Sequence, residues 1–76
     1  MGYIEDDKRF ELFQAQTTSI ARQLEKIAEI TMKMTEINIA DSTNPNFVSL
    51  MNNHKKLTDY MDEVINEFEQ YLKNKI

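Results

Sequence analysis

The chain has no cysteine and no tryptophan, and only one glycine, one proline and one histidine among its 76 residues. Without cysteine there is no disulfide and no thiolate-held metal, so a domain this small has no covalent or zinc staple. The sole glycine is Gly2, which excludes a glycine-rich loop that could cradle a phosphate. No run of about 18 apolar residues is present to form a transmembrane helix. The segment Met1-Gly2-Tyr3-Ile4-Glu5-Asp6-Asp7 lacks the basic and apolar regions of a secretory signal, so the expected location is cytoplasmic, with signal-less export left open. Positive charge is also short: 9 basic residues face 13 acidic ones, for a net charge of −4. Such a chain repels a phosphate backbone and has no general attraction to anionic membranes, so neither nucleic acid nor membrane insertion is expected.

What is present is a 41% share of hydrophobic residues in one domain-sized stretch, residues 1–76. A domain of this size buries only about 60% of the surface its unfolded chain exposes, and its core supplies on the order of 3–5 kcal/mol of net stability. With disulfide and thiolate staples excluded, association with itself or with another protein is the expected source of the rest.

The chain is punctuated as a break at one place, Asp41-Ser42-Thr43-Asn44-Pro45-Asn46. Its short polar side chains compete for backbone hydrogen bonds, and its proline cannot sit inside a helix. Asn44 suits an N-cap and Pro45 a first helical position, where a missing N–H costs nothing. A second helix is therefore predicted over about residues 45–75, after a turn at about 41–45. From there the spacing alternates three and four through Phe47, Leu50, His54, Leu57, Met61, Val64, Phe68 and Tyr71, the expected core or interface row. A second row at seven-residue spacing, Met51, Thr58, Ile65 and Leu72, widens the apolar stripe to about three positions in seven. That width suits a bundle better than a strict two-stranded coiled coil.

Before the break the same spacing runs through Phe10, Phe13, Thr17, Ile20, Leu24, Ile27, Thr31 and Met34, with Ala21 and Ala28 alongside. It predicts a first helix over about residues 5–40, whose dipole is complemented by Glu5, Asp6 and Asp7 and which is supported by a Glu29–Lys33 pair. Two helices joined by a short turn are antiparallel neighbours. The expected fold class is all-α, an antiparallel two-helix hairpin that completes a helical bundle by homo- or hetero-oligomerisation.

Between Ile27 and Ala40 the pattern widens, because Ile30, Met32, Met34, Ile37 and Ile39 cannot all face one neighbouring helix. Plain surface hydrophobicity, a frayed end, or a short strand over Ile30-Thr31-Met32-Lys33-Met34 would each account for this. The favoured expectation is a second, partner-binding surface near the turn, to which methionine lends an adaptable face.

Catalytic and ligand-binding patterns are not evident. His54 has Leu50, Met51, Leu57 and Thr58 one turn away, with no carboxylate or nucleophile on its face, so the chain is expected to hold no catalytic site, metal or cofactor. Asp59, Glu63 and Glu67 follow at four-residue spacing, forming an acidic ridge that is either a solvated face or a docking strip for a basic partner.

The stretch Asn44-Pro45-Asn46-Phe47-Val48-Ser49-Leu50, with Lys56-Leu57-Thr58-Asp59-Tyr60 beyond it, resembles the turn and second helix of type III secretion needle subunits. In that family an Asp-Pro or Asn-Pro turn precedes a Lys-Leu-Ser-Glu-Tyr-like segment. The length and hairpin form are also similar to the small needle chaperones of the same systems, which pair with a second helical protein to hold the needle subunit back from polymerising. The chain departs from the needle subunit in its acidic Asp62-Glu63 and Glu67-Phe68-Glu69 and in lacking an amino-terminal tryptophan. Within this resemblance it is closer to a co-chaperone or accessory subunit.

Thr58-Asp59-Tyr60-Met61-Asp62 is similar to the Ser-Gln-Glu-Leu-Asp segment of small aspartyl-phosphate phosphatases at its first, fourth and fifth positions, without that family's Glu. Three functions stay open: a non-enzymatic interaction subunit acting as an assembly co-chaperone or structural accessory, an acidic helical inhibitor of a host protein encoded by a phage or plasmid, and a phosphatase regulator. The first is the expected one.

Overall fold

Two helices make the fold: α1 over Gly2–Glu36 and α2 over Pro45–Lys75. The computed structural model describes residues 2–75, with side chains from residue 8 to residue 75. No strand occurs among the described residues, and the alternating segment Ile30 to Met34 is helical. The side chains of Glu5, Asp6 and Asp7, expected to complement the dipole of α1, lie outside the described residues.

The first helix stops at Glu36, short of the residue 40 to which apolar periodicity carries it. The cause is Asn38, which takes a left-handed conformation with φ of 61°. The Ile39 N–H then donates to the Met34 carbonyl at 2.9 Å and the Asn38 N–H to the Thr35 carbonyl at 3.1 Å. These are the paired bonds of a Schellman ending, which satisfy helix carbonyls that would otherwise point into solvent unpaired. Asparagine tolerates the left-handed region better than other non-glycine residues because its short amide can bond locally.

Past that point, side chains hold the turn together. The Asp41 carboxylate accepts the Thr43 N–H at 2.8 Å and the Thr43 hydroxyl, while the Asn44 N–H donates to the Asp41 carbonyl at 3.1 Å. Asn44 links both helix ends: its Nδ2 donates to the Ile39 carbonyl at 2.9 Å, and its Oδ1 accepts the Asn46 N–H at 3.0 Å as the N-cap of α2. The Val48 N–H then closes the first helical turn on the Asn44 carbonyl at 3.1 Å.

The helices run back along each other in a body of 56 × 16 × 13 Å. Their register is fixed by Phe13 stacking on Phe68 with ring centroids 4.4 Å apart. By that register Ile20 lies level with Met61 and Ile27 level with His54, since antiparallel positions keep a constant sum. Ile20, Ile27 and Val64 are the buried apolar residues of the described chain. Leu24, Leu50, Leu57, Met61 and Phe68 are half-buried around them.

Two predictions follow from the turn. Asn38→Gly relieves the left-handed strain and raises unfolding stability by up to about 1 kcal/mol, whereas Asn38→Val lowers it by roughly 1–2 kcal/mol, as read by urea denaturation. Equal midpoints for the two variants would contradict this assignment. The Asp41 carboxyl is held below its ordinary value by the Thr43 hydroxyl first and the Thr43 and Asn44 N–H groups after it. A depressed folded value means that its contribution is present above the ordinary carboxylate range and is lost as pH falls through the lowered value. The melting-temperature gap between the native chain and Asp41→Asn is therefore expected near neutrality and closes as pH falls below the ordinary carboxylate range. A gap that stayed constant with pH would sink the assignment.

Candidate functional site

In an antiparallel pair the seam follows lines of residues seven apart, which return to the same side of a helix to within about 20°. On α1 the seam line is Phe13, Ile20, Ile27 and Met34; on α2 it is Leu50, Leu57, Val64 and Tyr71. One line further round lie Phe10, Thr17, Leu24 and Thr31 on α1, and Phe47, His54, Met61 and Phe68 on α2. The next line holds Gln14, Ala21, Ala28 and Thr35, facing Met51, Thr58, Ile65 and Leu72. These outer lines share one flank of the hairpin, and none of their residues is Asp, Glu, Lys or Arg.

The expected core row is accordingly covered to very different degrees. Ile20 and Val64 are 3% and 5% exposed, Phe13, Phe47 and Tyr71 are half-buried, and Phe10 is 47% exposed. His54 is also exposed, although its row packs on both sides of it. At its level α1 presents the short Ala28 beside the seam, which cannot reach across to cover an imidazole. Leu72, at the far end of the outer line, is 46% exposed.

The open end of the hairpin is aromatic. Phe68 stacks on Phe13, meets Phe10 in a tilted contact at 6.1 Å and lies 6.0 Å from Tyr71. The Arg9 guanidinium sits over the Tyr71 ring at 4.5 Å, with the Lys75 ammonium at 5.4 Å. Cations over an aromatic face contribute of order 0.5–1 kcal/mol each at exposed sites. This cap depends on which residues of distant segments are level, and no local motif announces it.

The opposite flank is charged and grooved. Arg22, Gln23, Lys26, Asn53 and Lys56 rim an open groove of about 530 Å³ floored by Ile27 and Leu57. Nearer the open end, Arg9, Leu12, Gln16 and Glu67 border a smaller depression over Phe13, Val64 and Phe68. Lys26 pairs with Glu29 at 3.5 Å, where the spacing pointed to Lys33. That pair is exposed and contributes little.

The partner-binding residues expected near the turn are not gathered onto one surface. Ile30 and Met32, 44% and 66% exposed, lie about 160° apart around α1 and so belong to opposite flanks. Met34 is half-buried in the seam line. Ile37 and Ile39 lie beyond the end of α1 and are exposed, as is Val48 of α2. Asp59, Glu63 and Glu67 are exposed in one line along α2. Tyr60, exposed between Asp59 and Glu63, and Leu12 on α1 were not anticipated, because each stands alone outside the apolar rows.

The hydroxyls on the uncharged flank are turned inward. Thr17 donates to the Phe13 carbonyl at 2.9 Å, Thr31 to Ile27 at 2.8 Å, Thr35 to Thr31 at 2.9 Å and Thr58 to Lys55 at 2.8 Å. With the hydroxyl bonded back to its own helix, each threonine can be covered by a neighbouring surface at little cost in unsatisfied polar groups. Among the described residues no three acidic or histidine side chains come close enough to hold a metal ion, and no helix is long and apolar enough to cross a membrane.

No protein-family model matches the chain, and no significant similarity links it to a curated protein or to a solved structure.

The aromatic cap gives a direct test of the seam. Phe68→Ala should lower unfolding stability by roughly 2–3 kcal/mol, toward the low end for a buried phenylalanine because the ring is half-exposed. A loss below about 0.5 kcal/mol, the size of an ordinary surface change, would show that the stacked rings do not hold the open end closed.

Proposed function

We propose that this chain is a non-enzymatic interaction subunit, a helical hairpin that completes a larger helical assembly as a small co-chaperone or structural accessory subunit does. The observation that carries the reading is the imbalance between seam and surface. Among the described residues Ile20, Ile27 and Val64 are buried, whereas nine large hydrophobic residues, Leu12, Tyr60 and Leu72 among them, are exposed. So small a buried core supplies little stability to a domain of this size, and association is the means by which such domains bury more apolar surface.

The grooves between the helices support a binding role over a catalytic one. They are open to water, and an active site draws much of its electrostatic power from excluding it. The Asn44-Pro45 turn followed by Lys56-Leu57-Thr58-Asp59-Tyr60 adds the resemblance to subunits of secretion apparatus. On this reading the acidic line Asp59, Glu63 and Glu67 keeps the free subunit soluble and discourages wrong partners by charge.

The test is the native mass of the chain in the cells that make it. An epitope-tagged copy, separated under native conditions, should run in one defined complex well above the 9.0 kDa of the chain alone. Recovery of the tagged chain as a free, folded 9.0 kDa monomer would overturn the proposal.

A further inference from the structure

The uncharged flank is built to take a second copy of the hairpin, and we infer that the chain forms a homodimeric four-helix bundle through it. This rests on the assembly reading above and narrows it to one partner and one face.

The first argument is area. The chain exposes 6152 Å², whereas a compact monomer of 9.0 kDa exposes about 4,850 Å² by the scaling of folded proteins. The excess of roughly 1,300 Å² is more than the about 800 Å² that each partner contributes to a standard stable interface. Two copies each covering about 800 Å² of it would bury about 1,600 Å², a standard stable interface.

The second argument is chemistry. The flank is free of Asp, Glu, Lys and Arg from Phe10 to Leu72, and its four threonine hydroxyls are satisfied within their own helices. The opposite flank carries Arg9, Arg22, Lys26, Lys56 and Glu67, whose desolvation would oppose docking there.

The third argument is shape, and it selects a second copy over an unrelated helix. The hairpin register brings Thr17 within one residue, about 1.5 Å of rise, of the level of Ile65, and likewise Ala21 of Met61, Leu24 of Thr58 and Ala28 of His54. A twofold axis along the length of the hairpin lays α1 of one copy over α2 of the other at these same levels. A small residue then faces a large one at each of the four, which is the interdigitation that a packed bundle core requires. His54, uncovered in the single hairpin, gains the space above Ala28 of the other copy.

The experiment measures mass in solution by sedimentation equilibrium from low to high micromolar concentration. The native chain should reach twice 9.0 kDa. Ala28→Glu replaces an exposed alanine with a good helix former, so it leaves the hairpin itself unstrained while placing a charge in the interface. It should weaken dimerisation by at least about 100-fold, whereas Ser19→Glu on the grooved flank changes it by less than about threefold. A native chain that stays a folded 9.0 kDa monomer overturns the inference whatever the variants do. A dimer indifferent to Ala28→Glu overturns it as well, since the interface would then lie elsewhere. A monomer that joins a different helical protein in cells removes the second copy but leaves the assembly reading standing. A folded monomer found in no complex removes both.

Discussion

A pair of helices covers two lines of side chains from each member along its seam, and α2 of this chain has large apolar residues on three. That mismatch governs the rest of the structure. Ile20, Ile27 and Val64 are buried where the seam lines meet, but Leu24, Met61, Phe68, Met51 and Ile65 are only half-buried and Leu72 is exposed. Each covered line contributes through its area removed from water, at roughly 25 cal/mol per Å², so the outer lines hold stabilisation that the isolated hairpin does not collect.

The seam itself is positioned from its two ends. At the turn, Asn44 bonds the chain leaving α1 and caps the chain entering α2, so the helices cannot slide without breaking both contacts. At the open end the Phe13–Phe68 stack and the Arg9–Tyr71 contact set the same register over a distance of many turns. Between these ends the level of each residue on one helix relative to the other is determined. The alternation of small and large side chains on the uncharged flank then becomes a property of the surface as a whole, and so does its separation from the charged, grooved flank. The interaction reading depends on that separation more than on any single residue.

Much of the fold is legible in residue order. The break at Asp41 to Asn46 marks the turn, and the three-and-four spacing marks both helices. The end of α1 is harder to read, because Ile37 and Ile39 prolong the apolar pattern while the residue that stops the helix, Asn38, is a weaker signal than glycine for a left-handed position. The exposure of His54 is also hidden. Its row predicts burial, and only the register reveals that the short Ala28 stands at its level. The apolar residues near the turn illustrate a further limit. Composition shows that Ile30, Met32, Ile37 and Ile39 are too many for one seam, but their directions depend on where the helix ends and on a rotation of about 100° per residue. They therefore divide between two flanks and the turn. The acidic line of Asp59, Glu63 and Glu67 is evident from spacing alone, since four-residue steps stay on one side of any helix.

The central claim is that the hairpin draws a large part of its stability from association. Thermal unfolding of the native chain followed by circular dichroism over a hundredfold range of concentration tests it directly, because an equilibrium that joins folding to association makes the midpoint depend on protein concentration. The account predicts a midpoint that rises steadily with concentration. A single cooperative transition with the same midpoint throughout would contradict it, for the seam of Ile20, Ile27 and Val64 would then suffice alone.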